Sequence, residues 1–399
     1  MTLDFRRPGT SPRRWAIAAT AFAFFATMVG TTLPTALYSI YSARLSFSSL
    51  TVTVLFAVYA LGVVFALLVF GRLSDQIGRR PVLLIALGCA AVSAVLFMLP
   101  PSLGLLIVAR VISGFSAGFM SGAGTAAVID LFPAARRSAG GMLAIAVNSG
   151  GLGVGNLLGG LVASFSASPL RVPFAIHLGL VVLAAAGLWL LTPRPGRQPG
   201  VRWRIQRLRV PAEIRGAFVR GVLAAGVAFS VSGVLTAVTA LFLAEDLGVR
   251  NHWLAGLIVF LIFSTMALGQ LAAGRVAPHR AIVGGCAGLV LAGVLLAVAL
   301  GVVVLAPLVI AAVVLGVSGG FCLNGALATT VEQVPQEHRG EVSSAFFASL
   351  YVLLACPAIG VGLLGTAIGL RESGLVFAIV VAVLAVLVGA AQLRAGRRR

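Results

Sequence analysis

Residues 71–84 read GRLSDQIGRRPVLL. On either side lies an unbroken apolar run, 51–70 before it and 81–99 after it. Between the runs stand one acid, Asp75, and three arginines, Arg72, Arg79 and Arg80. A tight polar loop joining two membrane helices calls for these residue types. Gly71 and Gly78 let the backbone turn sharply and approach its neighbours. A carboxylate close to hydrocarbon needs a partner, either an arginine or the positive end of a helix. Pro81 suits the first turn of the helix that follows.

Composition agrees with that reading. Of 399 residues 60% are hydrophobic and 10% are charged, whereas about a quarter of a soluble protein is charged. The lipid bilayer is therefore the expected surrounding. All 29 basic residues are arginine, and the net charge is +19. Such a charge fits nucleic acid, but the arginines sit in short clusters between apolar runs, where membrane topology accounts for them. No nucleic-acid partner is expected. The cysteines Cys89, Cys286, Cys322 and Cys356 all lie in apolar runs without CxxC or metal spacing, so neither disulfides nor a metal are expected. No HExxH, phosphate loop or nucleotide-binding motif occurs, so no enzyme, no cofactor and no ATP-driven pump is expected. The N-terminal run is too long for a signal-peptide core and lacks an A-x-A site.

Twelve runs are long enough to cross a bilayer: 15–40, 50–70, 81–100, 104–129, 139–164, 173–192, 217–242, 252–274, 281–300, 306–330, 342–369 and 374–393. An even number places both termini on one side. Most arginines fall in the tails and the even-numbered loops. The odd-numbered loops hold Arg44, Arg171, Arg250 and Arg371, and Arg110 lies within a span. By the positive-inside rule both termini are cytoplasmic, in the cell (plasma or inner) membrane. The longest break, 192–220, divides the chain into a tail 1–14, a six-helix bundle 15–192, a linker 193–216, a second bundle 217–393 and a tail 394–399. In the linker Trp203, Ile205, Leu208 and Val210 alternate with arginines; it either lies along anionic headgroups or is a solvated basic segment. The halves repeat. GFSAGFMSGAGTAAVIDLFPAARRS from Gly114 aligns without gaps on GVSGGFCLNGALATTVEQVPQEHRG from Gly316, placing Gly118 on Gly320, Asp130 on Glu332 and Pro133 on Pro335. Six spans separate the copies, so the repeat is parallel.

Three motifs carry a family resemblance. Residues 71–80 resemble the loop between the second and third helices of the major facilitator superfamily, with Gly71, Leu73, Ser74, Asp75, Gly78, Arg79 and Arg80 matching. Arg110 and Gly114 have the R-x-x-x-G spacing of that superfamily's fourth-helix motif. GLGVGNLLGG, with Gly151, Gly155, Gly159 and Gly160, is similar to the fifth-helix motif of its drug:proton antiporter branch, except that Asn156 replaces the proline. The resemblance implies an all-α membrane protein of twelve transmembrane helices in two six-helix bundles, working by alternating access. It implies that Arg110 serves proton coupling, although an arginine so placed could also snorkel to the surface. It further implies a conformational latch in which Asp75 meets the start of the eleventh span. Arg79 has Asp130 as a second acid, with Gly71, Gly78 and Arg80 completing the loop.

GFSAG and GVSGG also fit the hydrolase nucleophile elbow, but an elbow follows a strand and both copies fall inside spans. None of the ten acids lies at mid-membrane, so proton coupling would use Arg110, Asp75, water or the substrate. Cavity candidates are Tyr38, Tyr59, Asn148, Gln270, Asn324 and Tyr351, among many phenylalanines. A mainly apolar cavity suits amphipathic molecules better than sugars or phosphates. The expected function is export of drug-like or small amphipathic metabolites by proton antiport. The partners are then a small-molecule substrate, protons and the bilayer, and the expected state is a monomer. Uptake or facilitated diffusion of a small nutrient is the alternative, and a transporter-like membrane receptor a third reading.

The topology is testable by single-cysteine labelling in a cysteine-free background. Reagent added outside the cell is expected to modify position 247 and miss position 205; the reverse pattern inverts the chain in the membrane.

Overall fold

Inside hydrocarbon a backbone can satisfy its polar groups only within itself, and the apolar runs accordingly form helices. The computed structural model describes residues 10–71, 73–192, 210–246, 248–249, 251–331 and 333–396, with side chains there except at 10–12, 75 and 336–338. Residues 193–209 lie outside this set, and with them the linker residues Trp203, Ile205 and Leu208.

The first bundle contains α1 (Thr10–Thr32), α2 (Tyr38–Leu45), α3 (Ser49–Phe70), α4 (Leu73–Ile77), α5 (Arg79–Met98), α6 (Leu103–Asp130), α7 (Arg137–Phe165) and α8 (Val172–Leu191). The second contains α9 (Arg215–Glu245), α10 (His252–Ala273), α11 (Pro278–Val302), α12 (Leu305–Thr330), α13 (Gln336–Ile368) and α14 (Leu370–Gly396). Twelve of these segments are long and apolar enough to cross a membrane, α1 and α2 together forming the first span. Three details differ from the sequence reading. The first span is not one helix from 15 to 40: it breaks into a 3₁₀ turn at Leu33–Leu37 and continues to Leu45. Pro34 causes the break, because it has no N–H to donate and its ring crowds the carbonyl one turn back. The eleventh span begins at Gln336, about two turns before the expected 342. The polar stretch after the second span, which stops at Phe70 as expected, is not a plain loop: Asp75 belongs to the separate short helix α4.

The helix contacts show the repeat. In the first bundle α5 packs on α6 and α8, α3 on α6, and α1 on α7. The second repeats these pairings in order: α11 on α12 and α14, α10 on α12, and α9 on α13. The aligned glycines make equivalent contacts. A Cβ at Gly114 would lie 2.3 Å from the Tyr59 carbonyl of α3, and one at Gly316 would lie 2.4 Å from the Ile262 carbonyl of α10. Close approach of this kind is how small residues hold helices together in lipid, where no hydrophobic effect drives them together. The first and seventh spans are central, 72% and 83% buried; the sixth and twelfth are peripheral at 28% each. Their outward faces show Leu183, Trp189 and Leu190, and Ile379 and Leu387, to lipid.

The bundles meet through α7 on α10 and α3 on α13. Among the described residues, three hydrogen bonds between them lie toward the ends remote from the termini. Ser39 Oγ is 3.3 Å from His252 Nδ1, the Trp253 N–H donates to Ser164 Oγ over 3.1 Å, and Ser49 Oγ donates to the Gly362 carbonyl over 3.5 Å. These bonds form a polar seam that ties the bundles together on the side opposite the termini.

The glycine face of α7 gives a direct test of the packing. A Cβ at Gly155 would sit 2.1 Å from the Val29 carbonyl oxygen, a backbone atom that cannot rotate away, whereas one at Gly141 meets nothing within 4 Å. Gly155→Val is expected to lower the melting temperature of the detergent-solubilised protein by several degrees, since overpacking costs roughly 1–3 kcal/mol. Gly141→Ala is expected to leave it unchanged or slightly higher.

Candidate functional site

Arg110 sits two turns into α6, near enough to the far surface for its side chain to reach out. It turns inward instead and is wholly buried. Its Nε donates to the Leu55 carbonyl of α3 at 3.3 Å, and Nη1 donates to the Thr31 carbonyl of α1 at 2.8 Å. Thr31 belongs to the last turn of α1, where carbonyls have lost their helical donors. The Pro34 break thereby supplies an acceptor. The guanidinium carbon lies 4.7 Å from the Tyr59 ring centre and 5.7 Å from that of Tyr38. Aromatic faces attract a cation by about 0.5–2 kcal/mol. Arg110 Nη2 and the Tyr38 hydroxyl are buried and close to one another, and neither makes a well-formed hydrogen bond; nor does the Tyr41 hydroxyl one turn on.

No carboxylate answers the charge among the described residues. Asp130, Glu213, Glu245, Asp246, Glu341 and Glu372 all lie at helix ends or in turns. Asp246, outside the spans, has its carboxyl pushed above the usual carboxylate range by burial, against the opposing pull of Arg371.

The tyrosines carry the site to the bundle boundary. Tyr59 meets Tyr351 of α13 edge-on, with centroids 6.4 Å apart, and Phe56 lies 6.4 Å from Tyr59 within α3. Phe229 of α9 flanks Tyr351 at 6.5 Å. Of the expected cavity residues, Tyr38, Tyr59 and Tyr351 therefore gather around or next to Arg110. Asn148 on α7, Gln270 on α10 and Asn324 on α12 make no hydrogen bond to this cluster among the described residues.

The fifth-span motif supports the same region. Gly151, Gly155 and Gly159 bring α7 against α1 and the 3₁₀ turn, while Gly160 meets the start of α10. Asn156, in place of the superfamily's proline, introduces no break, and α7 runs unbroken from Arg137 to Phe165. Its Nδ2 donates to the Thr32 carbonyl at 3.3 Å and to Thr35 Oγ1, and Thr32 Oγ1 donates to the Leu152 carbonyl. The asparagine thus braces the broken first span. Thr35, like Ser39 and His252 at the seam, went unnoticed in the sequence, because a single hydroxyl or imidazole in an apolar run has no periodic signature.

The 71–80 loop fastens elements of its own bundle. Gly71 caps the end of α3, and Gly78 adopts φ +93°, a conformation that favours glycine. Arg79 donates to Ser74 Oγ at 2.6 Å and to Asp130 Oδ2 at 3.4 Å. With the Arg79 side chain 35% exposed and that of Asp130 56% exposed, this ion pair contributes at most about 1 kcal/mol. Arg80 donates to the Trp189 and Thr192 carbonyls at the end of α8 and lies over the Trp189 ring at 4.9 Å. The Asp75 side chain is outside the described residues. The nucleophile-elbow serines are structural: Ser116 donates to the Ala86 carbonyl and Ser318 to the Val314 carbonyl.

Comparison with known proteins follows the same lines. The chain is 35% identical over 126 residues to the class H tetracycline resistance protein of Pasteurella multocida, covering 30% of this chain and 29% of that protein. It is 32% identical over 133 residues to an uncharacterised MFS-type transporter of Mycobacterium tuberculosis, covering 33% and 22%. These matches span less than a third of the curated relatives' length. In fold it is similar to a bacterial homologue of the human lysosomal transporter Spinster, in an inward-facing and unoccupied conformation. That match has a TM-score of 0.73 at 17% identity, covering 97% of this chain and 99% of that one. It is also similar to the nucleoside transporter NupG, with a TM-score of 0.70 at 14% identity, covering 94% and 99%. The model of the Major Facilitator Superfamily matches residues 16–355, and the chain belongs to that superfamily as a multi-pass membrane protein.

Proposed function

We propose that the protein exports drug-like or small amphipathic molecules by alternating access, driven by proton antiport, as a monomer in the cell membrane with both termini cytoplasmic. The observation that carries this reading is the Arg110–Tyr59–Tyr351 cluster, a polar point in aromatic surroundings at mid-membrane where the two bundles meet. Such a site can hold a molecule that is mostly apolar with one polar group. The stretch shared with a tetracycline resistance protein supports export. With cytoplasmic termini, the seam at Ser39–His252 and Ser49–Gly362 ties the bundles together on the outer side, so the site would next be reached from within the cell. Rocking of one bundle against the other would break the seam and expose the same residues outward.

Uncoupled facilitated diffusion is the second reading, favoured by the lack of a mid-membrane carboxylate among the described residues. Inverted membrane vesicles with an imposed pH gradient separate the two. Antiport is expected to accumulate amphipathic substrates only while the interior is acid; equal uptake with and without the gradient leaves diffusion, and uptake of sugars alone overturns the substrate class. Arg110→Ala is expected to abolish transport in protein that still inserts, and Arg110→Lys to restore part of it, because an ammonium cannot reproduce the planar fork.

The 71–80 loop is proposed as the latch of the state closed on the cytoplasmic side, with Asp75 set against the start of α13 and Arg79 against Asp130. An acid at a helix N-terminus contributes about 0.3–2 kcal/mol, and about 1.4 kcal/mol shifts two states tenfold. Asp75→Asn is expected to lengthen the spin-label distance between the terminus-side ends of α3 and α13; an unchanged distance with unchanged transport removes the latch.

A further inference from the structure

We propose that Arg110 is the receptor for an anionic group, and that the substrate is an amphipathic organic anion: one carboxylate, or an acid group of similar size, on an apolar aromatic body. This rests on the reading of the mid-membrane cluster as the substrate site, and it assigns the chemistry of what binds there.

The inference begins with an imbalance. Arg110 is among the largest fully buried side chains of the described residues, and a guanidinium brings a positive charge. Removing one partner of a buried ion pair is costly because the charge left behind is uncompensated; here the chain supplies no partner at all among the described residues. The two carbonyls and two aromatic faces around the guanidinium are neutral groups that soften the cost without cancelling the charge. They also leave the fork incomplete. A guanidinium has five N–H donors, and Nη2 makes no well-formed hydrogen bond. The Tyr38 hydroxyl, close to the guanidinium, likewise makes no well-formed hydrogen bond. An anion placed between them would accept from Nη2 and from the tyrosine O–H, and would supply the missing charge in a setting where charge-assisted hydrogen bonds are strong.

The surroundings select the rest of the molecule. A cationic substrate would meet like charge in a buried, weakly screened setting. A sugar would need several convergent amides or carboxylates, yet among the described residues Asn148, Gln270 and Asn324 make no hydrogen bond to the cluster. Phe56, Tyr59, Tyr351 and Phe229 adjoin it and suit an aromatic or hydrocarbon body, with the Thr31 and Ser121 hydroxyls the small polar groups beside the tyrosines. Access follows from the same geometry. The Tyr59 ring stands between the guanidinium, 4.7 Å away, and Tyr351 of the other bundle, 6.4 Å away. Separation of the bundles at that contact removes Tyr351 and frees the far face of Tyr59, which stays with Arg110 in the first bundle and would itself turn aside to admit a ligand.

A charge series on one skeleton tests the proposal. The full-length protein, purified in detergent in chloride-free gluconate buffer near neutral pH, is titrated with 2-naphthoate, neutral 2-naphthamide and cationic 2-naphthylmethylammonium by isothermal calorimetry. The naphthoate is expected to bind about tenfold or more tightly than either analogue, the scale of one charge-assisted hydrogen-bonded contact. Arg110→Gln is expected to equalise naphthoate and naphthamide. Tyr38→Phe is expected to weaken naphthoate severalfold and leave naphthamide alone, and it stands as the informative variant should Arg110→Gln fail to fold. Equal affinities across the series, a preference for the ammonium, or an anion preference that survives Arg110→Gln would overturn the proposal, as would a site that takes chloride and is indifferent to naphthoate. The export reading fails separately. Pumping of amphipathic cations without any anion preference keeps export and removes the anion site, whereas Arg110-dependent naphthoate binding without pumping of any amphiphile does the reverse.

Discussion

A guanidinium held inside the bilayer without a counter-ion is the constraint around which the first bundle is organised. Placing an arginine at the centre of a membrane helix costs about 2.5–3.5 kcal/mol or more, and the structure arranges three partial compensations for Arg110. The Pro34 break frees carbonyls at the end of α1, one of which accepts from Nη1. The adjoining α3 contributes the Leu55 carbonyl and the Tyr59 face. The restarted helix α2 contributes the Tyr38 face. Each depends on the others. Without the break the Thr31 carbonyl would be engaged within its helix, and without the Asn156 brace the break would have fewer partners. What remains uncompensated is the net charge, and that residue of imbalance gives the site its chemistry.

The broken first span must also lie close to its neighbours, and glycine makes this possible. Gly151, Gly155 and Gly159 let α7 approach α1 backbone to backbone, and Gly62 and Gly114 do the same for α3 and α6. These contacts place the Leu55 and Thr31 carbonyls within reach of one arginine. The second bundle reproduces the packing through Gly316 and Gly320 on α12 but has no arginine at the position equivalent to Arg110: Ala312 stands there, buried among apolar side chains. The repeat thus preserves scaffold while the two copies differ in charge, so the bundles contribute unequally to the mid-membrane site.

The spans, the parallel repeat and the helix-packing glycines were legible in the sequence because each rests on a periodic or compositional signal: apolar run length, an ungapped alignment, small residues four apart. Arg110 was legible as an anomaly, but its direction was not. Whether an arginine near a helix end snorkels or turns inward depends on what the neighbouring helices offer, and that offer came from a proline on another helix. The break at 33–37 was missed because a single proline competes poorly against a long apolar run when span length is the criterion. Asn156 was legible only as a missing proline; its partners Thr32 and Thr35 are more than 100 residues away in sequence. Likewise Arg80 reads as a loop charge, whereas it caps the carbonyls of α8 and covers Trp189. Short-range patterns identify elements; long-range hydrogen bonds to backbone leave no trace in them.

The dependence of the whole arrangement on an unanswered buried charge can be examined most directly by an experimental structure of the full chain with 2-naphthoate bound. The expected result is a carboxylate within hydrogen-bonding distance of Arg110 Nη2 and the Tyr38 hydroxyl, with the naphthyl ring among Tyr59, Tyr351 and Phe229. A naphthoate lodged elsewhere, near Gln270 and Asn324 for example, with Arg110 still closed over and Nη2 unpaired, would contradict it.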